Sequence, residues 1–376
     1  MSKTLQDYAI LINDTIQSNE INHYITTDNM CQNLGGIDAF KNINIPQGKV
    51  RSFQKDDILL SNIRLYFRKV YRAKQKGGCS SDVLVFRAKH IDSATLFAIL
   101  SSQIFTDYAC LGSQGSKMPR GNKTHMMNFK IPTINFTIAK IFNSIQNKIE
   151  NNHKINELLH KILELLYEQY FVRFDFLDEN NKPYQTSGGK MKFSKELNRL
   201  IPSGWSVRFL NHKIVSTYQP KTISKTLLND SYSYSVYGGG GIIGRFTEYN
   251  HEQSEFIISC RGQCGISYLT LPKSWITGNA MVIRPTKSYT SKTYLYHTIK
   301  KYKLTNYITG SVQPQITRQN LSTMPILIPK RKILNKWNNI SSLLWNLIHN
   351  NMQSTQTLTA LRDFLLPLLL KQQVKP

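Results

Sequence analysis

The stretch from Ile134 to Val172 reads INFTIAKIFNSIQNKIENNHKINELLHKILELLYEQYFV. Its apolar residues recur with the heptad spacing of a long amphipathic helix that packs against another helix. One core position of the heptad contains Ile138, Ile145, Asn152, Leu159 and Leu166. The other contains Ile141, Ile155 and Ile162. Lys148 and Gln169 interrupt this second position, so we expect them at the flank, with Ile149 and Tyr170 in the core and Leu163 widening the stripe.

The same pattern returns near the C-terminus when 199 is added to each residue number. The first position becomes Trp337, Leu344, Asn351, Leu358 and Leu365, and the second becomes Ile340, Leu347, Ser354, Leu361 and Leu368. Such a repeat indicates two copies of one large unit, each a globular portion followed by a long helix. Equivalent residues of an antiparallel pair meet only at its centre. We therefore predict that Asn152 and Asn351 lie close together and fix the register of the helices.

The charge of the chain is strongly positive. It contains 48 Lys and Arg against 23 Asp and Glu, a formal net charge of +25. No acidic residue occurs between Phe256 and Arg362. Such a field favours a polyanionic partner, with nucleic acid well ahead of a membrane surface.

Length, cysteine content and hydropathy limit the class of protein. The 376 residues are enough for two domains with their own cores. The five cysteines form no C-x-x-C pair, which favours unpaired thiols in a reducing compartment. The N-terminus lacks the apolar core of a signal peptide, and the apolar run Phe364–Leu370 is far shorter than a membrane span. These features predict a cytoplasmic protein.

Residues 1–133 are predicted to form a β-rich globular unit. Short apolar runs such as Ile58–Ser61 and Val83–Phe86 indicate strands, and Ser93–Ser102 indicates a short helix. Nine basic residues lie between Lys49 and Lys76, interleaved with aromatic residues, which favours nucleic-acid binding. An acid-free loop from Gly112 to Pro132 is also basic.

The second globular unit is predicted at residues 201–329, after a polar stretch at 175–200 that we interpret as a loose linker. Its sequence landmarks repeat those of the first unit. Asp57–Leu60 corresponds to Phe256–Ser259, Gly112 to Gly310, and the pair Ile131-Pro132 to Ile328-Pro329.

Several short motifs do not indicate catalysis. Gly239, Gly241 and Gly244 match G-x-G-x-x-G, but β-type sequence follows them where a dinucleotide site needs a helix, so a glycine-rich hairpin or a close approach to phosphate is favoured. His153 and His160 have no cysteine or carboxylate cluster beside them, so no metal site is predicted. No recognisable catalytic grouping occurs, and we expect a non-catalytic chain.

The order of short phrases, given twice, resembles the specificity subunit of a type I restriction-modification system over essentially the whole chain. The phrases are Ile201–Trp205, Tyr237–Gly244, Ile258–Gly265, Gly310–Ile316 and Met324–Pro329, with Asp57–Arg64 and Gly112–Gly115 as first-unit counterparts. The first unit lacks a P-x-G-W opening and starts part-way into the pattern.

The resemblance implies an α+β fold with two β-rich target recognition domains, two long antiparallel coiled-coil helices and a pseudo-two-fold internal repeat. It implies recognition domains at 1–133 and 201–329, spacer helices at 134–174 and 330–372, and a linker at 175–200. It also implies a non-catalytic DNA-binding subunit that directs two methyltransferase subunits to adenines in a bipartite target. Restriction subunits with nuclease and translocase activity would add cleavage, and S-adenosylmethionine, ATP and Mg²⁺ would belong to the partners.

The DNA contacts are expected on basic and amide side chains, because Arg, Gln and Asn bind base edges while Lys and Tyr bind phosphates. The candidates in the first domain are Arg64, Lys69, Arg72, Lys117 and Arg120. The candidates in the second are Tyr237, Arg245, Arg261, Lys287, Gln315 and Arg318. Two other functions stay open from sequence: a stand-alone sequence-specific DNA regulator and an RNA-binding scaffold.

Overall fold

A computed structural model describes residues 3–38, 43–131, 134–229, 232–310 and 313–369. Pro132, Ser311, Val312 and the predicted boundaries at 1, 133 and 372 lie outside these ranges. The chain divides into two compact units. Unit 1 comprises Met1–Ile155 with Asn351–Pro376, and unit 2 comprises Asn156–Asn350.

The globular part of unit 1 is mainly β-structure followed by short helices. Its elements are α1 (Leu5–Tyr8), β1 (Ala9–Ile12), β2 (Thr15–Gln17), β3 (Tyr24–Ile25), β4 (Lys49–Phe53), β5 (Ile58–Ser61), β6 (Val70–Arg72), β7 (Gly77–Cys79), β8 (Val83–Ala88), α2 (Ser93–Ser101), α3 (Gln103–Leu111) and α4 (Lys123–Met127). The predicted short helix corresponds to α2. Its N-cap Asp92 accepts a hydrogen bond from the Thr95 amide at 2.9 Å, and Ser102 starts α3 in the same way through Phe105 at 3.2 Å.

Two four-stranded sheets form unit 1. The first has the order β1-β8-β5-β6, with every neighbouring pair antiparallel. The second has the order β2-β4-β7-β3, in which β3 runs parallel to β7. The core includes Ile58, Leu84, Phe86 and Leu96, which are almost completely buried.

Unit 2 contains the remaining strands and two further short helices. Its elements are β9 (Met191–Ser194), β10 (Arg199–Pro202), β11 (Ser206–Phe209), β12 (Val215–Tyr218), β13 (Tyr234–Gly238), β14 (Gly241–Phe246), β15 (Phe256–Ser259), β16 (Ser267–Leu269), β17 (Trp275–Ile276), β18 (Ala280–Pro285), α6 (Lys292–Lys301), β19 (Ile308–Thr309), β20 (Gln315–Ile316), α7 (Arg318–Ser322) and β21 (Pro325–Ile328). Short 3-10 turns lie at Ser18–Glu20, Leu65–Phe67, Lys225–Leu227 and Leu304–Tyr307.

The sheets confirm the internal repeat that the sequence predicts. The main sheet of unit 2 has the order β12-β18-β15-β16, again fully antiparallel, which is the connectivity of β1-β8-β5-β6. The smaller sheets differ. Unit 2 has the three-stranded order β14-β13-β17, with β13 parallel to β17. The two units therefore share a main sheet and differ in the accessory sheet.

The stretch predicted as a loose linker is ordered by aromatic packing. The Phe174 and Phe176 rings lie 5.6 and 5.3 Å from the ring of Trp205, and the Arg199 guanidinium lies 4.8 Å from the Phe174 ring. Strands β9 and β10 pair as a small antiparallel sheet in the same region. The polar composition at 175–200 concealed this order, because the aromatic anchors are few and lie at its edges.

Two long helices, α5 (Phe136–Tyr167) and α8 (Arg331–Leu369), contribute to both units. Helix α5 continues as a π-helical segment at Glu168–Val172. Within unit 1 the helices are antiparallel. The Asn135 amide donates to Leu369 O at 3.1 Å, Arg362 Nη1 to Gln146 Oε1 at 3.2 Å, and Asn152 Nδ2 to Thr355 Oγ1 at 3.2 Å.

The same antiparallel register holds within unit 2. Asn156 Nδ2 donates to Ile348 O at 3.3 Å, the His160 and Trp345 rings lie 5.0 Å apart, and the Tyr167 and Trp337 rings lie 5.8 Å apart. These contacts confirm a pair of long antiparallel helices.

The structure corrects one of the two predicted core positions of the heptad. Ile141, Ile155, Ile162, Ile340, Leu347 and Leu361 are exposed. The core is filled one residue later, by Phe142, Ile149, Leu163, Ser341, Ile348 and Arg362. The expectation that Ile149 replaces Lys148 in the core is thus correct. The periodicity misled because several true core positions are polar and hydrogen-bonded across the pair, whereas the apolar residues beside them face outward.

Candidate nucleic-acid interface

In unit 1, two loops are joined through their backbones. One follows β5 and the other follows α3. Ile63 and Gln114 both form β-bridges with Arg120, and the Arg64 amide donates to Pro119 O at 2.9 Å. Two basic segments that are far apart in sequence are thereby held together, and we call them loop pair 1 (62–68 and 112–121).

Loop pair 1 presents three of the five candidates in this unit. Lys117 and Arg120 are exposed, and Arg120 forms an ion pair with Asp82 at 3.0 Å. Arg64 Nη2 donates to Lys117 O at 3.3 Å. Arg64 and Arg68 adopt left-handed backbone conformations, with φ of 50° and 49°, on either side of the 3-10 turn. Such conformations are uncommon outside glycine and concentrate at functional loops.

The other two candidates in unit 1 make contacts inside the unit. Arg72 donates to Asp56 at 3.1 Å and to Asn143 of α5 at 2.7 Å. Lys69 Nζ donates to Thr27 O at 2.5 Å. The structure thus gives both side chains a structural role, Arg72 connecting β6 to the long helix. Arg72 and Lys69 were selected from a run of basic residues, which does not distinguish a side chain that faces α5 from one that faces solvent.

Unit 2 repeats this arrangement. Arg261 forms a β-bridge with Gln315, and the Ile316 amide donates to Cys260 O at 3.0 Å. Cys264 Sγ lies 3.1 Å from Pro314 O. We call these segments loop pair 2 (260–266 and 313–318). Arg261, Gln315 and Arg318 are exposed on it, so the structure brings Arg261 together with two candidates that lie more than 50 residues later in the sequence.

The other three candidates in unit 2 lie outside loop pair 2. The Tyr237 side chain is 3% exposed, and its hydroxyl oxygen accepts a hydrogen bond from the Leu271 amide at 3.0 Å. Burial raises the pKa of Tyr237 to about 12. Arg245 donates to Tyr232 O and Ser233 O. Tyr237 is therefore a core residue in contradiction to its assignment as a DNA contact, and Arg245 closes the base of its hairpin. Lys287 is exposed in the turn after β18.

Each main sheet contains an ion pair between a buried carboxylate and a more exposed arginine, which sequence analysis did not identify. In unit 1, Arg87 donates to both oxygens of Asp57 at 2.8 Å. In unit 2, Arg284 donates to Glu255 at 2.6 and 3.0 Å. Hydrogen bonding to these carboxylates raises the pKa of both guanidinium groups. Each acid immediately precedes the strand that leads into a loop pair, so the ion pair fixes the start of that strand.

Neither a metal cluster nor a membrane span is found in the described ranges. No group of three His, Cys, Asp or Glu side chains is placed to bind a metal ion. Within the same ranges, no single helix has the length and apolarity to cross a bilayer. The pair α2 and α3, bent by 62°, meets those criteria in length and composition only. Most of α2 is buried in the unit 1 core, as are Phe105, Thr106 and Ala109 of α3.

Comparison with known proteins agrees with this architecture. Residues 202–361 match the family described as type I restriction modification DNA specificity domain. Over 313 residues the chain is 22% identical to the type I restriction enzyme MjaIX specificity subunit of Methanocaldococcus jannaschii, covering 73% of this chain and 67% of that protein. The crystal structure of the S subunit of the type I restriction-modification system from M. genitalium has a similar fold. Its TM-score is 0.64 at 15% identity, covering 100% of this chain and 96% of that one.

Proposed function

We propose that this chain is a specificity subunit of a type I restriction-modification system and that it recognises a bipartite DNA target, one half with each unit; the family match over residues 202–361, the similar specificity subunit and the similar fold support this. Specificity subunits are the DNA-recognition components of these systems rather than their catalysts, and they act in complex with other subunits.

One observation carries the proposal: the two units present equivalent loop pairs. In unit 1, the loop after β5 forms a β-bridge with a second loop through Ile63 and Arg120. In unit 2, the loop after β15 forms one through Arg261 and Gln315. Basic or amide side chains are exposed on both. Two copies of one binding surface with different side chains are what a target with two different halves requires.

The side chains on these loops suit the edges of bases. The Arg guanidinium forms two parallel hydrogen bonds with guanine, and the Gln amide forms two with adenine. We assign this role to Arg120 on loop pair 1 and to Arg261 and Gln315 on loop pair 2. Lys117, Lys287 and Arg318 are exposed and would bind phosphates, together with Arg64 at the joint between the two loops of its pair.

The partners are proposed to bind the long helices through exposed apolar residues. In unit 1 these are Phe136, Ile141, Leu361 and Phe364, which we call helix patch 1. In unit 2 they are Leu158, Ile162, Leu165, Ile340, Leu343 and Leu347, which we call helix patch 2. Most of these residues lie on one flank of the heptad and correspond between helices at the repeat distance, as Ile162 does to Leu361 and Leu165 to Phe364.

Two equivalent apolar patches suit two copies of one partner. Exposed apolar clusters on a protein surface mark sites of association. We therefore propose that each helix patch binds one methyltransferase subunit, and that the chain directs adenine methylation in both halves of the target. Restriction subunits that join the complex would add cleavage. S-adenosylmethionine, ATP and Mg²⁺ are proposed to bind the partner subunits.

The test is to co-express the full chain with its methyltransferase subunit in a host without adenine methylation and to sequence the methylated sites. We expect one target with two defined halves. Lys117→Ala with Arg120→Ala should relax or abolish the preference in one half only, and Arg261→Ala with Gln315→Ala in the other only. Each lost base contact should cost roughly 1–3 kcal/mol.

The proposal fails if the two double variants alter the same half, or if the target is continuous. Binding of duplex DNA without any partner would favour a stand-alone regulator. Stronger binding of single-stranded RNA than of duplex DNA at a fixed salt concentration would favour an RNA scaffold.

A further inference from the structure

A glycine-rich hairpin in unit 2 ends beside loop pair 2. Strands β13 and β14 are antiparallel, with Gly238 opposite Gly241, so the tip consists of Gly239 and Gly240 alone. The register shifts between Val236 and Tyr237, which indicates a bulge. Among the described residues of unit 1 this hairpin has no counterpart in the strand order, and β4 pairs with β7 instead.

The hairpin is firmly anchored below its tip. The Tyr237 hydroxyl accepts a hydrogen bond from the Leu271 amide at 3.0 Å, and the Tyr237 carbonyl accepts one from the Thr277 amide at 2.9 Å. At the far end, Arg245 donates to the backbone of residues 232 and 233. The position of the tip is therefore set by the core of unit 2 and does not depend on the tip residues.

The tip lies against the backbone of loop pair 2. A Cβ atom on Gly239 would lie 3.0 Å from Arg261 O and 3.6 Å from Asn279 O. A Cβ atom on Gly241 would lie 3.3 Å from the Tyr268 ring, and φ of Gly241 is +96°. Both positions have structural reasons to be glycine. The tip is thus continuous with the segment that presents Arg261.

Gly240 has no such reason. It is exposed, no atom of the described residues beyond its two chain neighbours lies within 4 Å of a Cβ built there, and its φ is outside the left-handed range. A glycine that neither packing nor backbone conformation requires costs conformational entropy in folding. The remaining physical reason for a glycine here is that another molecule can approach the backbone closely where no side chain is present.

We propose that the tip at Gly239 and Gly240 contacts a DNA backbone phosphate next to the base-binding side chains Arg261 and Gln315. Peptide N–H groups bind phosphate oxygens without a side chain between them, and such contacts set the register of a protein on DNA. The acid-free sequence from Phe256 onward supplies a favourable field for the phosphate. This inference rests on the proposed function of loop pair 2 and adds a site that positions it.

The test compares variants of the full chain, in complex with its partners, for binding to the duplex target and to an unrelated duplex. Gly240→Val should leave the thermal unfolding midpoint unchanged, because the position is open. It should weaken binding to both duplexes by a similar factor, roughly 10-fold, because a phosphate contact carries no sequence information. Gly240→Ala should also weaken binding to both duplexes, but by a smaller factor. Thr247→Val, an exposed substitution at the opposite end of the hairpin, is the matched control and should bind as wild type does.

The outcomes separate this inference from the function on which it rests. If Gly240→Val binds both duplexes as tightly as wild type while Arg261→Ala loses the target, the phosphate contact is wrong and the function of loop pair 2 stands. A loss of affinity for the target alone would likewise overturn it, since that would assign the tip to base recognition. If wild type shows no preference for its methylated sequence, the proposed function and the inference fail together.

Discussion

At the scale of single residues, His297 of α6 is buried among aromatic rings. Its ring stacks on Tyr167 at 5.6 Å and meets Trp337 edge-on at 5.3 Å. Its Nε2 has no hydrogen-bond partner among the residues that the structure describes. Burial, with a smaller contribution from Lys300, lowers the pKa of His297 to about 3, and burial lowers that of His349 to about 4. Both histidines are therefore neutral in the folded chain near neutral pH.

This burial predicts an acid-sensitive fold. The folded-state pKa of His297 lies below its ordinary value of 6.5, so the unfolded chain binds the proton first. The stabilisation is complete above pH 6.5 and is lost as pH falls from there towards 3. Between pH 7 and pH 5 the free energy of unfolding should fall by about 2 kcal/mol because of this histidine. Urea unfolding of His297→Leu should show a pH-dependent loss smaller by that amount, whereas exposed His212→Leu should follow wild type.

The residue scale also shows what sequence could predict of the site. Residue type in acid-free, turn-rich segments predicts Arg120, Arg261 and Gln315 as DNA contacts; the structure places them on exposed loops, and their contact with DNA stays a prediction. Tyr237 and Arg72 have the same residue chemistry but face inward. Which way a side chain points depends on strand pairing, and that information is not contained in local composition.

At the scale of elements, the helix pair is held by polar contacts in its interior. Arg362 is 2% exposed and donates to Gln146 and to Asp363. Gln146 also donates to Leu34 O at 2.7 Å, which connects α5 to the globular part of unit 1. Removing one member leaves a buried polar atom of the other, Arg362 Nη1 or Gln146 Oε1, without this partner, so the second removal costs less than the first.

A double-mutant cycle tests this coupling. Gln146→Leu and Arg362→Leu should each destabilise the full chain by roughly 1–3 kcal/mol. The double variant should lose less than the sum of the two, by roughly 1 kcal/mol, because the unpaired group left by one change is removed by the other. Chemical denaturation gives the three values, and additive losses would contradict the coupling.

The existence and antiparallel direction of the helices could be predicted from the sequence. One of the two core positions through which they contact each other could not. The heptad analysis assumes an apolar core, whereas Gln146, Asn152 and Arg362 are interior. Asn152 is buried and bonds Thr355, one turn beyond Asn351 in sequence. The proposed closeness of Asn152 and Asn351 remains a prediction. A polar residue at a core position indicates a specific contact, but its partner is identified only by the register.

At the scale of the whole molecule, each helix patch is predicted to bind one partner independently. Phe364→Asp in helix patch 1, or Ile162→Asp with Leu343→Asp in helix patch 2, should reduce the number of bound methyltransferase subunits from two to one. Phe364 is 68% exposed and Ile162 45%, so stability should change by no more than about 0.5 kcal/mol. Native mass spectrometry counts the subunits.

Lys161→Asp, an exposed change on the same helix turn as Ile162, is the control and should retain two partners. Retention of two partners by both patch variants would exclude these surfaces as the binding sites.

The repeat was the most predictable feature at this scale, because it rests on many residues at a constant spacing and not on any one of them. The shared strand order of the two main sheets follows from this repeat. The difference between the accessory sheets does not follow from the repeat, since the landmarks that recur between the units lie outside β4, β7 and the β13–β14 hairpin.

The outward-facing isoleucine, leucine and phenylalanine side chains of α5 and α8 have a consequence for synthesis in the cell. A chain produced in excess of its partners keeps these apolar surfaces exposed to solvent. Two such chains can then bury the surfaces only against each other. Overproduction of this chain alone should therefore yield aggregated protein, whereas balanced production with its partners should yield soluble protein. The supply of the partners, more than the fold of the chain itself, would then set how much usable protein accumulates.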